Sequence, residues 1–134
     1  MRDTHARCDI LVNNAGILIN GARASVMQEP VEVVVKTFET NVYGPMRLMQ
    51  TLIPLMKKQR YGRIVNISSG LGQLDGMGDG YPAYRLSKTA LNALTSMFAD
   101  AARGSGILVN AACPGWVRTD MGERQRNEQR GAGR

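Results

Sequence analysis

The stretch RIVNISSG, residues Arg63 to Gly70, runs through Ile64, Val65 and Ile67 with little alternation and then turns abruptly to serine and glycine. A short run that is nearly continuous in apolar residues is how a strand buried on both faces of a parallel sheet reads. Two other runs share this character, DILVN from Asp9 to Asn13 and ILVNAAC from Ile107 to Cys113. Between the three lie two long segments with helical spacing. The first, from about Pro30 to Gln59, repeats apolar residues at Val31, Val34, Val35, Phe38, Val42, Met46, Met49, Ile53 and Met56, a period of about 3.6. Pro45 and Pro54 interrupt it, which predicts a kinked or locally adjusted helix. The second, from about Pro82 to Arg103, carries Leu86, Ala90, Leu94, Met97 and Ala101 on one stripe, with Gly104 placed as a stop.

Strand, helix, strand, helix, strand is the order of an open parallel α/β sheet with right-handed crossovers. In such a sheet the segments after each strand gather at one carboxyl edge, where ligands bind. Here those segments are NNAG, SSG and PGWVRTDM, all chemically unusual. Singly each has an ordinary reading: NNAG and PG are turns, Asn41 is a tolerated polar residue in a helix, and Ser69 alone says nothing. Together they bring a hydroxyl, a phenol, an ammonium and an amide to one cleft, with no histidine or acid placed to make Ser69 a triad nucleophile. In YPAYRLSK, Tyr81 to Lys88, a helix beginning at Pro82 puts Tyr84 and Lys88 four residues apart on one face and leaves Tyr81 outside it. The glycine-rich run GLGQLDG, Gly70 to Gly76, has Asp75 where a dinucleotide fingerprint needs its third glycine, and it feeds no helix. It reads as a flexible loop over the cleft, with a substrate lid as the better expectation.

The bulk properties narrow the class. A chain of 134 residues, 43% apolar and 21% charged, with no apolar run near the length of a membrane span, is expected to be one soluble globular domain. Its first residues, MRDTHARCD, have no apolar core and do not read as a signal peptide. Cys8, Cys113 and the single His5 lack ligand spacing, so no metal is expected, and a reducing cytoplasm is the expected compartment. The NIS triplet at Asn66 lies in a strand-like run and is not taken as a glycosylation site. The charge of +6 is concentrated near the end, in a segment without apolar periodicity or interleaved aromatics, which predicts a disordered basic tail over residues 123–134 rather than a nucleic-acid surface.

Taken in order, DILVNNAGI, TNVYGPMRLMQ, GRIVNISSG, YPAYRLSK and ILVNAACPGWVRTDM resemble the short-chain dehydrogenase/reductase family over roughly residues 9 to 122. The interval from Ser69 is close to the family's and selects Tyr84 over Tyr81. The resemblance implies a doubly wound, Rossmann-like α/β sheet, here cut to about three strands and two long helices. It implies hydride transfer between NAD(P)(H) and a carbonyl or alcohol substrate, with Asn41, Ser69, Tyr84 and Lys88 as the catalytic set. Asn14, Ala15 and Gly16 would line the adenosine side of the cofactor; Lys88 would hold the nicotinamide ribose beside Tyr84; Pro114, Gly115, Val117 and Thr119 would border the nicotinamide. It further implies a homo-oligomer through the two long helices, with neither a nucleic acid nor a membrane as partner.

The family's first strand, glycine-rich turn and helix for the pyrophosphate have no counterpart in this sequence, nor do the two strands whose ends choose between the cofactors. After Met121, GERQRNEQRGAGR replaces the helix and strand that usually shape the substrate pocket. Residues 1–122 are therefore expected to be the catalytic half of such a domain. The alternative expectation is an inactive fragment that serves at most as an interaction module through its apolar helices.

Overall fold

The computed structural model describes residues 7–115 and 117–132; His5 and the leading residues of MRDTHARCD lie outside them, as do Trp116 and the last two residues. Three parallel strands, β1 (Ile10–Asn13), β2 (Gly62–Ile67) and β3 (Ile107–Ala112), form a sheet in the order β1-β2-β3. Asn13 stands beside Asn66, and Ile67 beside Ala112, so the strands end level with one another. Helix α1 (Val31–Phe38) and helix α2 (Gly44–Gln59) cross from β1 to β2, and α3 (Pro82–Ala101) crosses from β2 to β3. Both crossovers lie on one side of the sheet. Met49, Ile53 and Met56 of α2 close over Ile64, Ile107 and Val109, with Leu94 and Phe98 of α3 against the same cluster.

The expectation that the strands are covered on both faces is not met within this chain. Ile10, Val12 and Leu108, whose side chains alternate with the core ones, are more than half exposed. The chain supplies the helical layer on one side of a doubly wound sheet, and the other side carries bare apolar side chains among the described residues. The apolar stripe read on α3 is only partly its core face: Leu94 packs on the core, but Leu86 and Met97 are exposed, and the helix buries Ala83, Tyr84, Ser87, Lys88, Leu91 and Thr95. Polar side chains are tolerated there because each finds a partner, as described below.

The long first helix is broken where its proline predicts a disturbance. Between α1 and α2 the chain takes one wide turn of π-helix, Glu39–Tyr43, and the Gly44 N–H donates to the carbonyl five residues back. Pro45 at the start of α2 has no N–H to give and its ring would crowd the carbonyl of Asn41, so the turn opens. Pro54, by contrast, sits inside α2 on its exposed side.

The segment expected as a disordered tail is helical. Asp120–Ala132 forms α4, whose start is capped by Thr119: its hydroxyl accepts from the Gly122 N–H at 3.1 Å. Met121 packs against the cluster of Leu18, Tyr81 and Tyr84 and so holds the first turn to the body. Periodicity gave no hint of this, because a single apolar anchor is enough to dock a helix of good helix formers.

The turn into β3 depends on Gly106, which has φ +81° and no room for a Cβ, since one would run into the Arg60 carbonyl. Gly104, at φ +76°, faces open space. We expect Gly106→Ala to lower the unfolding free energy by about 3 kcal/mol and Gly104→Ala by about 1 kcal/mol. Urea denaturation of the two variants checks the difference; equal losses would mean that the close approach to Arg60 contributes nothing.

Candidate active site

The three strand ends open into one cleft of about 480 Å³. Asn14, Ala15 and Gly16 line it after β1; Ile67, Ser68 and Ser69 line it at the end of β2; Cys113, Pro114, Gly115, Val117 and Thr119 line it after β3. Tyr84 and Lys88 enter from α3, and Asp120, Met121 and Gly122 close one side from α4. Of the eleven residues read as site residues from the sequence, all but Asn41 line this cleft.

Helix α3 starts at Pro82, behind Tyr81 in a left-handed conformation at φ 52°. A Glu29 carboxylate oxygen accepts from the Ala83 N–H at 3.4 Å, which places a negative group at the positive end of the helix. Four-residue spacing then puts Tyr84 and Lys88 on one face, as expected. Lys88 Nζ lies 5.6 Å from the centre of the Tyr84 ring and donates to the Ile67 carbonyl at 2.8 Å. Only 4% of Lys88 is exposed. Burial lowers its pKa from 10.5 to about 8, against a smaller opposing pull from Cys113. Tyr81 is buried away from the cleft: its N–H donates to the Gly21 carbonyl and the Arg85 guanidinium stands 5.9 Å from its ring centre.

Ser69 caps a single 3₁₀ turn, Gly70–Gly72, with its hydroxyl oxygen accepting from the Leu71 N–H at 3.1 Å. The GLGQLDG run therefore makes a tight turn at the cleft rim and starts no helix. With one lone pair of Ser69 committed to the turn, its O–H can still donate into the cleft. Asn41 lies in the π turn, 1% exposed. Its Oδ1 accepts from the Ile17 N–H at 2.8 Å, and its Nδ2 donates to the Ile17 carbonyl and to Ser87 Oγ, both at 3.0 Å. Asn41 thereby pins the backbone just past Gly16. Asn41 Oδ1 and Lys88 Nζ each lie 3.6 Å from the point that a Cβ on Gly16 would occupy, so they are at most 7.2 Å apart.

Parallel strands ending at a common edge, an ammonium against a phenol on one helix, and a serine at the end of the middle strand form one constellation. The profile of the short chain dehydrogenase family matches residues 1–130. The chain belongs to the short-chain dehydrogenase family. It is 41% identical over 123 residues to the oxidoreductase UcpA of Salmonella typhimurium, covering 91% of this chain and 45% of that protein. Among solved structures it is similar to an NAD⁺-bound xylitol dehydrogenase, with TM-score 0.80, 35% identity, and 96% of this chain against 48% of that one. It is similar also to an NADPH-bound carbonyl reductase from chicken fatty liver, with TM-score 0.78, 34% identity, and 90% of this chain against 51% of that one. The chain thus spans about half the length of the relatives it matches.

Within this short-chain dehydrogenase fold, sequence reading missed several residues that shape the site. Ser87 holds Asn41 from beneath; Ser68 Oγ bonds Asn92 Oδ1 at 2.6 Å; Cys113 and Met121 are cleft walls. The helical spacing of Asn92, four residues past Lys88, was the one signal that placed it on the same face.

The lowered pKa of Lys88 makes stability depend on pH with a definite sign. Between about pH 8 and pH 10.5 the unfolded chain holds a proton on this lysine that the folded chain has released, so raising the pH favours folding. We expect the stability difference between the native protein and Lys88→Met to move in favour of the native protein by about 3 kcal/mol across that window. Paired urea titrations at pH 7 and pH 10.5 read it; a difference that does not change with pH would refute the buried, destabilised ammonium.

Proposed function

We propose that this cleft takes the nicotinamide end of NAD(P)(H) beside a small carbonyl or alcohol substrate, and that the chain's residues handle the proton that accompanies hydride transfer between them. The observation that carries this reading is the Lys88 ammonium, buried between the Ile67 carbonyl and the Tyr84 ring on the cleft wall. The donor set fits such a cofactor: Lys88 supplies donors for ribose hydroxyls, and Gly16 leaves the space between Lys88 and Asn41 clear of a side chain. Pro114, Gly115, Val117 and Thr119 would border the nicotinamide, and Asn14 to Gly16 the adenosine side. When bound, the cofactor supplies or accepts the hydride.

In the reductive direction Tyr84 gives its phenolic proton to the substrate oxygen as hydride arrives on carbon. A phenol ordinarily ionises near pH 10, and the Lys88 charge favours the phenolate that this step leaves. Ser69 donates a hydrogen bond to the oxygen as charge develops there, a contribution of about a hundredfold or more in comparable sites. The proton lost by Tyr84 is replaced from solvent through the Lys88 ammonium, which water on the Asn41 side would reprotonate. A span of at most 7.2 Å is bridged by one or two waters at about 2.8 Å a step. The bound cofactors named for the xylitol dehydrogenase and the carbonyl reductase support this reading, as do the alcohol and carbonyl chemistries that those names state.

A second reading, a non-catalytic interaction module, is favoured by Val31, Val35, Leu48, Leu86 and Met97, which leave apolar surface exposed along α1, α2 and α3. In either reading these helices are the surface for a second copy of the chain.

We expect Tyr84→Phe to lower carbonyl reduction by at least about a hundredfold while cofactor affinity holds, and Tyr81→Phe to be mild. Equal losses in the two would sink the assignment of Tyr84. Calorimetric titration of the purified chain with NADH and NADPH, with light scattering for its size, separates the readings. Micromolar binding supports the reductase; an associated species that neither binds cofactor nor turns over a carbonyl supports the module.

A further inference from the structure

Helix α3 is stitched to β2 by polar bonds at three successive residues of the strand end. Thr95 Oγ1 accepts from Asn66 Nδ2 at 3.0 Å, Lys88 Nζ donates to the Ile67 carbonyl at 2.8 Å, and Ser68 Oγ donates to Asn92 Oδ1 at 2.6 Å. The Ser68 N–H is held from the other side by the Ala112 carbonyl at 2.8 Å. The carbonyl that receives Lys88 and the N–H of Ser68 belong to one rigid peptide plane. That plane is thus fixed by the sheet through Ser68 N–H and by the helix through the Ser68 hydroxyl, one helical turn beyond Lys88.

We propose that Ser68 and Asn92 are positioning residues for Lys88: their bond clamps the Ile67–Ser68 peptide so that its carbonyl keeps the ammonium charged and aimed beside Tyr84. This rests on the reading of Lys88 as the charged partner of Tyr84, and it gives a role to two polar side chains that touch no reacting atom. Lys88 is buried, and burial favours its neutral form. A hydrogen bond to the charged form opposes that, and it does so only while donor and acceptor stay in line. Of the other titratable groups lining the cleft, Tyr84 stands beside Lys88 on its own helix and Cys113, just past β3, acts on its charge; Asp120 at the start of α4 lines the same cleft, and the segments Asn14–Gly16 and Ile67–Ser69 bring none. None of these is altered by changing Ser68 or Asn92.

The chain has four lysines, so the Lys88 signal in protein labelled with ¹³C at lysine Cε can be assigned by its loss in Lys88→Met. Its titration midpoint is expected near 8 in the native protein. In Ser68→Ala and in Asn92→Ala it falls by about half a unit; the double variant falls no further than either, and Ser68→Thr, which keeps the hydroxyl, restores it. A midpoint that stays in place or rises in folded single variants overturns the proposal, as does additivity in the double variant. Should Asn92→Ala not fold, Ser68→Ala removes a single oxygen and carries the same test. The titration needs neither cofactor nor turnover. A shifted midpoint in a chain without reductase activity therefore upholds the clamp and refutes only the catalytic reading.

Discussion

The contact on which the rest of this structure depends is the bond from the Lys88 ammonium to the Ile67 carbonyl. A charged side chain taken out of water is costly unless a partner receives it, and here the partner is the main chain at the end of the middle strand. The bond therefore joins two constraints. It fixes how far α3 has slid along the sheet, and it determines which side chains of α3 reach the carboxyl edge. Thr95 with Asn66, and Asn92 with Ser68, repeat the same registration on either side of it. A face with this much buried polarity gains less from burial than an aliphatic one, but leaving any one of these groups unpaired costs about 1–3 kcal/mol, which makes the alignment specific.

The π turn before α2 does comparable service for the other wall of the cleft. By opening the helix for one turn, it brings Asn41 to face inward, where one amide satisfies both the N–H and the carbonyl of Ile17 and also meets Ser87 of α3. The loop after β1 is thus tied to α3 through a residue set behind the cleft wall. The cleft floor at Gly16 stays open because the backbone around it is held from behind. Hydrogen bonds made by a side chain to main-chain groups of a distant segment act as the loop's substitute for secondary structure.

The open face of the sheet gives the molecule a second character. Ile10, Val12 and Leu108 form the kind of surface that a parallel sheet ordinarily covers, and the exposed apolar side chains of α1, α2 and α3 add to it. The polar site and the bare apolar faces occupy different parts of one fold. Nothing in the stitching of α3 to β2 relies on what lies against the open face.

Much of this was legible in the sequence. The three unalternating apolar runs determined the strands and their parallel order, because a parallel sheet carries apolar side chains on both faces even where, as here, one face lies open. The four-residue step from Tyr84 to Lys88 determined their shared face, because helix geometry leaves no other choice once Pro82 starts the helix. Pro45 marked a disturbance, although only the fold showed that it takes the form of a π turn that turns Asn41 inward. Tertiary structure alone decided which stripe of α3 is buried. Apolar spacing pointed to Leu86 and Met97, whereas the fold buries Ser87, Lys88 and Thr95, since hydrogen-bond partners for them exist only after β2 and the Asn41 turn are in place. It also decided the fate of the last segment. Residues read as a charged tail became α4 because Thr119 caps it and Met121 finds a pocket beside Tyr84, a docking that no local pattern encodes. Periodicity reports what a segment does alone, and partnership between distant polar groups is a property of the packed chain.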